Sequence, residues 1–232
     1  MQTLLSKSPV LASVRTAIAP TPPAAIGSGA LSTAFQVNGA SVHFARNTEV
    51  FGEAEEAEYF YQVVSGAVRT YKLLQDGRRQ IGAFYLPGDV FGLEAGAEHA
   101  FSAEAISDST VRIARRSVIM AHAVKEADLA ADLWAHTAGG LRLAQEHMLL
   151  LGRKSAEERV VSFLLDMARR ESAVEVVELP MSRQDIADYL GLTIETVSRM
   201  LGRRQADGLV EFDGARRYRV RRFSALSDMA AG

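Results

Sequence analysis

The strongest constraint on this chain is a change of hydrophobic period near Arg116. From about Phe35 to Arg116, short runs rich in aromatic and β-branched residues alternate with turn signals. They read YFYQVVSGAVRTYKLL from Tyr59, then Asp76-Gly77, RRQIGAFYL, Pro87-Gly88-Asp89 and a last run from Phe101 to Ile113. Such runs suit strands, and several short strands at close spacing can protect their edges by closing into a barrel or roll. Asp-Gly pairs suggest type I′ hairpin turns, in which both central residues take positive φ. Beyond Arg116 the apolar residues recur every three or four positions, the period of a helix. The expected class is therefore α+β: an antiparallel β-roll, a long helix, and a C-terminal helical domain.

Residues 1–33 are rich in Ala, Ser and Pro, without sustained periodicity, and are read as a flexible arm. No acidic residue precedes Glu49, a faint likeness to an organelle transit peptide, and no export signal is expected, because no apolar run precedes a small-residue cleavage site. The remaining divisions are expected at 34–123 for the roll, 124–152 for the helix and 153–232 for the C-terminal domain. The chain has no cysteine, which removes disulfides, thiolate metal sites and iron–sulfur clusters, and cytoplasmic residence fits best. No apolar stretch reaches the roughly 20 residues of a membrane span. Net charge is only −2, yet eight arginines face three acidic residues between Thr196 and Arg222. The basic character is local.

The stretch 124–151 carries a stripe of Leu133, Thr137, Gly140, Ala144, His147 and Leu151 at coiled-coil-like spacing, with small residues in the middle. With Leu129 and Met148 it is expected to form the interface of a homodimer about a two-fold axis. Ser155 and Glu158 have capping-box spacing, and Val160, Phe163, Leu164 and Met167 form the apolar face of the next helix.

Ser182 and Asp185 then open a helix with Ile186 and Leu190 on its apolar face, Gly191 breaks it, and Thr193 is placed to cap a second helix from Ile194 to about Ala206. On that second helix Val197, Met200 and Leu201 lie together, while Glu195, Ser198, Arg199 and Gly202 lie elsewhere. Taken alone, Glu195 and Arg199 have the spacing of a surface ion pair. The residues C-terminal to this helix change the reading: Leu209–Phe212, the Asp213-Gly214 turn, then arginines at 217, 219 and 221 alternating with Tyr218 and Val220. Alternation turns Tyr218 and Val220 inward and leaves a basic hairpin, or wing, whose arginines suit phosphates. Arg can donate two bonds to guanine and Glu can accept from cytosine, which suits the outer helix face to a major groove.

Ala187, Gly191 and Val197 stand at the small, turn and apolar positions of the bacterial helix-turn-helix pattern. From about residue 35 the chain resembles the CRP/FNR superfamily, and DIADYLGLTIETVSRMLGRRQADGLV is most similar to its FNR and FixK branches. The resemblance implies a transcription regulator, usually an activator of microaerobic respiration or nitrogen-fixation genes. It implies base reading of a TTGA-type half-site by Glu195, Ser198 and Arg199, with Ile194 beside them. Expected phosphate contacts are Ser182, Arg183, Thr193, Thr196, Arg203, Arg217 and Arg219. Expected partners are palindromic double-stranded DNA, a second copy of the chain and RNA polymerase, with no membrane.

The likeness is incomplete in the roll. FGLEAGAEHAFSAEA from Phe91 has His99 and Ala100 where cyclic-AMP-binding members carry Arg and Ser, so no fixed fork for a buried phosphate is evident. No cofactor is expected. Two rivals stand beside this reading: a cupin-type metal-binding enzyme with a regulatory tail, and the same DNA-binding architecture with a haem- or effector-sensing roll using His43 or His99. The five histidines show no paired ligand spacing.

Overall fold

A computed structural model of the chain describes residues 29–170 and 176–231. Most of the expected arm, and with it the transit-peptide likeness, lies outside the described residues. The arm's last residues correct the expected boundary, because α1 (Ala30–Asn38) is a helix with Leu31, Ala34 and Phe35 buried. These pack with Ile119 and Leu129, and the Asp132 carboxylate accepts the Leu31 N–H at 3.1 Å. A free donor of the helix's first turn is thereby satisfied.

Eight strands come next: β1 (Gly39–Phe44), β2 (Glu49–Phe51), β3 (Tyr59–Ser65), β4 (Val68–Leu73), β5 (Arg79–Tyr85), β6 (Val90–Phe91), β7 (Ser102–Ala105) and β8 (Ser109–Arg115). They form two four-stranded antiparallel sheets in the orders β1-β8-β3-β6 and β2-β7-β4-β5, a jelly-roll arrangement. The expected type I′ turns are not found. At the β4–β5 hairpin the Leu74 carbonyl accepts the Gly77 N–H at 2.9 Å and only Gly77 has positive φ, at 84°, so a left-handed glycine ends an ordinary turn. Asp213-Gly214 behaves alike: Gly214 has φ 72°, and Asp213 pairs with Arg217 across a three-residue loop.

The helical half begins with α2 (Arg116–Ala123), which falls in the stretch expected as roll, and α3 (Ala127–Arg153), which lies over the long helix expected at 124–151. Then come α4 (Ala156–Arg170), β9 (Val177–Glu178), α5 (Arg183–Leu190), α6 (Ile194–Ala206), β10 (Val210–Asp213), β11 (Arg217–Val220) and α7 (Phe223–Ala231). The capping box of α4 is formed: Ser155 Oγ accepts the Glu158 N–H at 3.3 Å, and the Glu158 carboxylate accepts the Ser155 N–H at 2.6 Å. Strands β10-β11-β9 make a small sheet closing the C-terminal domain. The two halves are not separate beads, since Ala67, Ile81, Phe84 and Ile106 of the roll share one apolar cluster with Phe163, Ile186 and Leu190.

Candidate nucleic-acid interface

Local chemistry fixes α5. Ser182 and Asp185 make a reciprocal capping box, and Gly191 ends the helix with φ 61°, a left-handed conformation glycine adopts without steric cost. Two residues later the Thr193 side chain accepts the Thr196 N–H at 3.3 Å and starts α6. Buried Ile186, Ala187 and Leu190 on α5 join Val197, Met200 and Leu201 on α6 in one core cluster. The outer face of α6 is free: Ile194, Glu195, Ser198, Arg199, Gly202 and Arg203 are all exposed. Glu195 is not paired with Arg199; its own backbone N–H and then the Thr193 hydroxyl hold its carboxyl below its ordinary range.

The wing also forms. Tyr218 is fully buried and its hydroxyl donates to the Leu164 carbonyl, so alternation leaves Arg217 in solvent, paired with Asp213 at 2.7 Å, and Arg219 half-buried. Arg221 pairs with Glu211. Arg183 is half-buried with its guanidinium 4.9 Å from the Phe212 ring centre, and its Nη1 is buried with no hydrogen-bond acceptor. Desolvation lowers its pKa.

Several expectations are corrected. Ser182 has no proton to offer a phosphate: its hydroxyl donates to Asp185 Oδ2 at 2.8 Å and accepts the Asp185 N–H at 3.1 Å. Arg204, counted among the basic residues, is buried, pairing with Glu157 at 2.6 Å and Asp207 at 3.0 Å. On α3, Leu129 is fully buried in its own protomer, and half-buried Leu133 packs against the same cluster. His147 is half-buried with its ring stacked on Tyr189 at 4.1 Å. Leu129 thus offers no face to a partner, and Leu133 and His147 are partly covered within the protomer.

The face left open lies one residue over. Trp134, Leu141 and Met148 are 75%, 61% and 65% exposed, and with exposed Thr137 and Ala144 they repeat at alternating steps of three and four. Gly140 is exposed beside this seam, and Leu151, half-buried, lies near Gly191. Sequence reading passed over Trp134 and Leu141, although they continue Thr137, Ala144 and Met148 at the same alternating steps. It also passed over Arg159, whose guanidinium donates to the Leu151 carbonyl at 2.7 Å and the Leu190 carbonyl at 3.0 Å. That places a cation at the C-terminal ends of α3 and α5, where the helix dipoles favour one, and ties the two helices together.

Inside the roll, Phe51, Tyr61, Tyr85 and Phe91 stack closely on one another. His99 is buried and lies on Phe51 with ring centres 3.6 Å apart, while His43 stands exposed on β1. Aromatic rings thus fill the space between the sheets. Among the described residues, no three of His, Cys, Asp or Glu are grouped to hold a metal ion, and no helix is long and apolar enough to cross a membrane.

Comparison with known proteins agrees with this layout. Residues 158–229 match the Crp-like helix-turn-helix domain and residues 41–122 the cyclic nucleotide-binding domain. The chain is 55% identical over 188 residues to the nitrogen fixation regulation protein FixK of Azorhizobium caulinodans, covering 79% of this chain and 76% of that protein. It is 42% identical over 181 residues to the protein of the same name from Rhizobium meliloti, covering 78% and 82%. Among solved structures, FixK2 from Bradyrhizobium japonicum superimposes with a TM-score of 0.81 at 54% identity, covering 84% of this chain and 98% of that one.

Proposed function

The chain belongs to the CRP/FNR family of DNA-binding transcription regulators, close to its FixK members, and from that premise we propose that it acts as a homodimeric activator on inverted repeats of the TTGA…TCAA type. One observation carries the reading: α6 is held by its inner face and presents Glu195, Ser198 and Arg199, with Ile194, as an unobstructed row. Arg199 has the donors for O6 and N7 of a guanine and Glu195 the acceptor for a cytosine amine. Thr193, Thr196, Arg203, Arg217 and Arg219 flank that row as phosphate contacts, and Arg183 adds a buried Nη1 that lacks an acceptor in the free protein.

The apolar seam of Trp134, Leu141 and Met148, with Thr137, Gly140, Ala144 and Leu151 alongside, pairs with its copy about a two-fold axis. Two recognition helices then enter successive major grooves on one side of the duplex. The dimer works in the cytoplasm and recruits RNA polymerase to promoters. The names of its FixK relatives favour nitrogen-fixation genes, served under low oxygen, as targets.

Selection of binding sites from random DNA tests this directly. The expected product is an inverted repeat with half-site centres about one helical turn apart. Enrichment of a single unrepeated site, or of no sequence, would refute the proposal.

A further inference from the structure

The roll and the C-terminal domain meet across a buried ion cluster. Arg69 on β4 is 7% exposed; it donates from Nη1 to Asp185 Oδ1 at 2.6 Å and from Nη2 to Glu104 at 2.9 Å. Arg79 on β5 reaches the same Asp185 oxygen from Nη2 at 2.7 Å and Asp188 from Nε at 2.8 Å. The second oxygen of Asp185, Oδ2, accepts the Ser182 N–H at 2.9 Å. One carboxylate therefore caps α5 with one oxygen and is gripped by two arginines of the roll through the other. A second fastening lies on α4, where Arg170 donates to the Phe84 carbonyl at 3.0 Å and to the Asp89 carboxylate.

Buried ion pairs add little net stability, because desolvation offsets attraction, and apolar residues could hold these domains together as well. Each guanidinium here bridges two carboxylates, Arg69 those of Asp185 and Glu104 and Arg79 those of Asp185 and Asp188, and a rigid planar group held at both ends adds direction. Helix α5 shares its core with α6, so the angle of α5 against the roll fixes that of the recognition helix. Arg159 carries the same constraint to the end of α3.

We propose that Arg69 and Arg79 are positioning residues that set the distance and phase between the two recognition helices, and so determine which spacer between half-sites the protein accepts. The proposal rests on the homodimeric reading of an inverted repeat. DNA makes such control demanding, since one added base pair moves a half-site by about 3.4 Å and turns it by about 34°.

The test uses the full-length protein and duplexes carrying its selected half-sites with the best spacer, that spacer lengthened or shortened by one base pair, and a single half-site alone. Wild type is expected to favour the best spacer at least tenfold. Arg79→Ala is expected to reduce that preference to threefold or less while half-site affinity stays within twofold. Asp188→Asn, which keeps the side chain's shape and removes its charge, carries the same expectation and serves if Arg79→Ala does not fold. A folded variant that keeps the wild-type preference overturns the proposal alone, as does one that loses affinity equally on every duplex including the half-site. A wild type indifferent to spacer and to the second half-site overturns the dimeric reading with it.

Discussion

Leu141→Asp is expected to separate the proposed dimer into folded monomers. Leu141 is 61% exposed in the isolated protomer and lies between Trp134 and Met148, at 75% and 65%. Fully burying a large apolar side chain contributes about 1.5–3 kcal/mol, so covering roughly two-thirds of one contributes about 1–2 kcal/mol. Two-fold symmetry counts the residue twice. The substitution forfeits about 2–4 kcal/mol before the desolvation of two carboxylates is included. Each 1.4 kcal/mol is tenfold in Kd, so the dimer weakens by about 30- to 1,000-fold or more. Sedimentation velocity across a dilution series reads this directly, with a circular dichroism melt to verify the fold. Leu143→Asp is the control: Leu143 is 49% exposed but sits off the seam, and its loss should leave the dimer within about threefold. If Leu141→Asp dimerises as wild type does, the seam is wrong and the pairing surface lies elsewhere.

Arg199→Ala should cost about 1–3 kcal/mol per half-site and relax the preference for one G·C pair; competition binding against duplexes altered at single positions checks it, and unchanged specificity would reduce Arg199 to a phosphate contact. Arg217→Ala should weaken all duplexes alike and flatten the dependence of log K on log salt, so a loss confined to the cognate site would contradict the wing assignment. Burial lowers the His147 pKa from its ordinary 6.5, so the unfolded chain binds more protons than the folded one below that pH, and stability must fall as pH drops through about 6.5 towards the folded pKa. His147→Phe keeps a ring on Tyr189 without a titrating group, and its advantage over wild type in denaturant midpoint should grow on acidification; a pH-independent difference would refute the assignment.

The helix-turn-helix was legible because its signals are local. Ser182 with Asp185, Gly191, and Thr193 each act within a few residues of themselves. The open stripe with Trp134 and Leu141 was missed because two stripes overlap on α3, sharing Thr137, Ala144 and Leu151. Which stripe stays open depends on what covers the other, and α1 over Leu129 and Tyr189 over His147 are tertiary facts. Arg204 had a local signal, since it continues the buried Val197 and Leu201 row, but its type suggested solvent. Arg69 and Arg79 gave none, because their partner Asp185 is 116 and 106 residues away.

The unbroken apolar cluster from Ile81 and Phe84 in the roll to Phe163 and Ile186 beyond α3 limits how this chain can be taken apart. A fragment beginning at Ser155 would carry the whole reading head yet expose to water the patch that Phe84 covers, while the roll alone would leave Phe84 bare. Neither piece is a self-sufficient module. Transplanting the head onto a foreign sensor would therefore require moving the matching face of the roll with it.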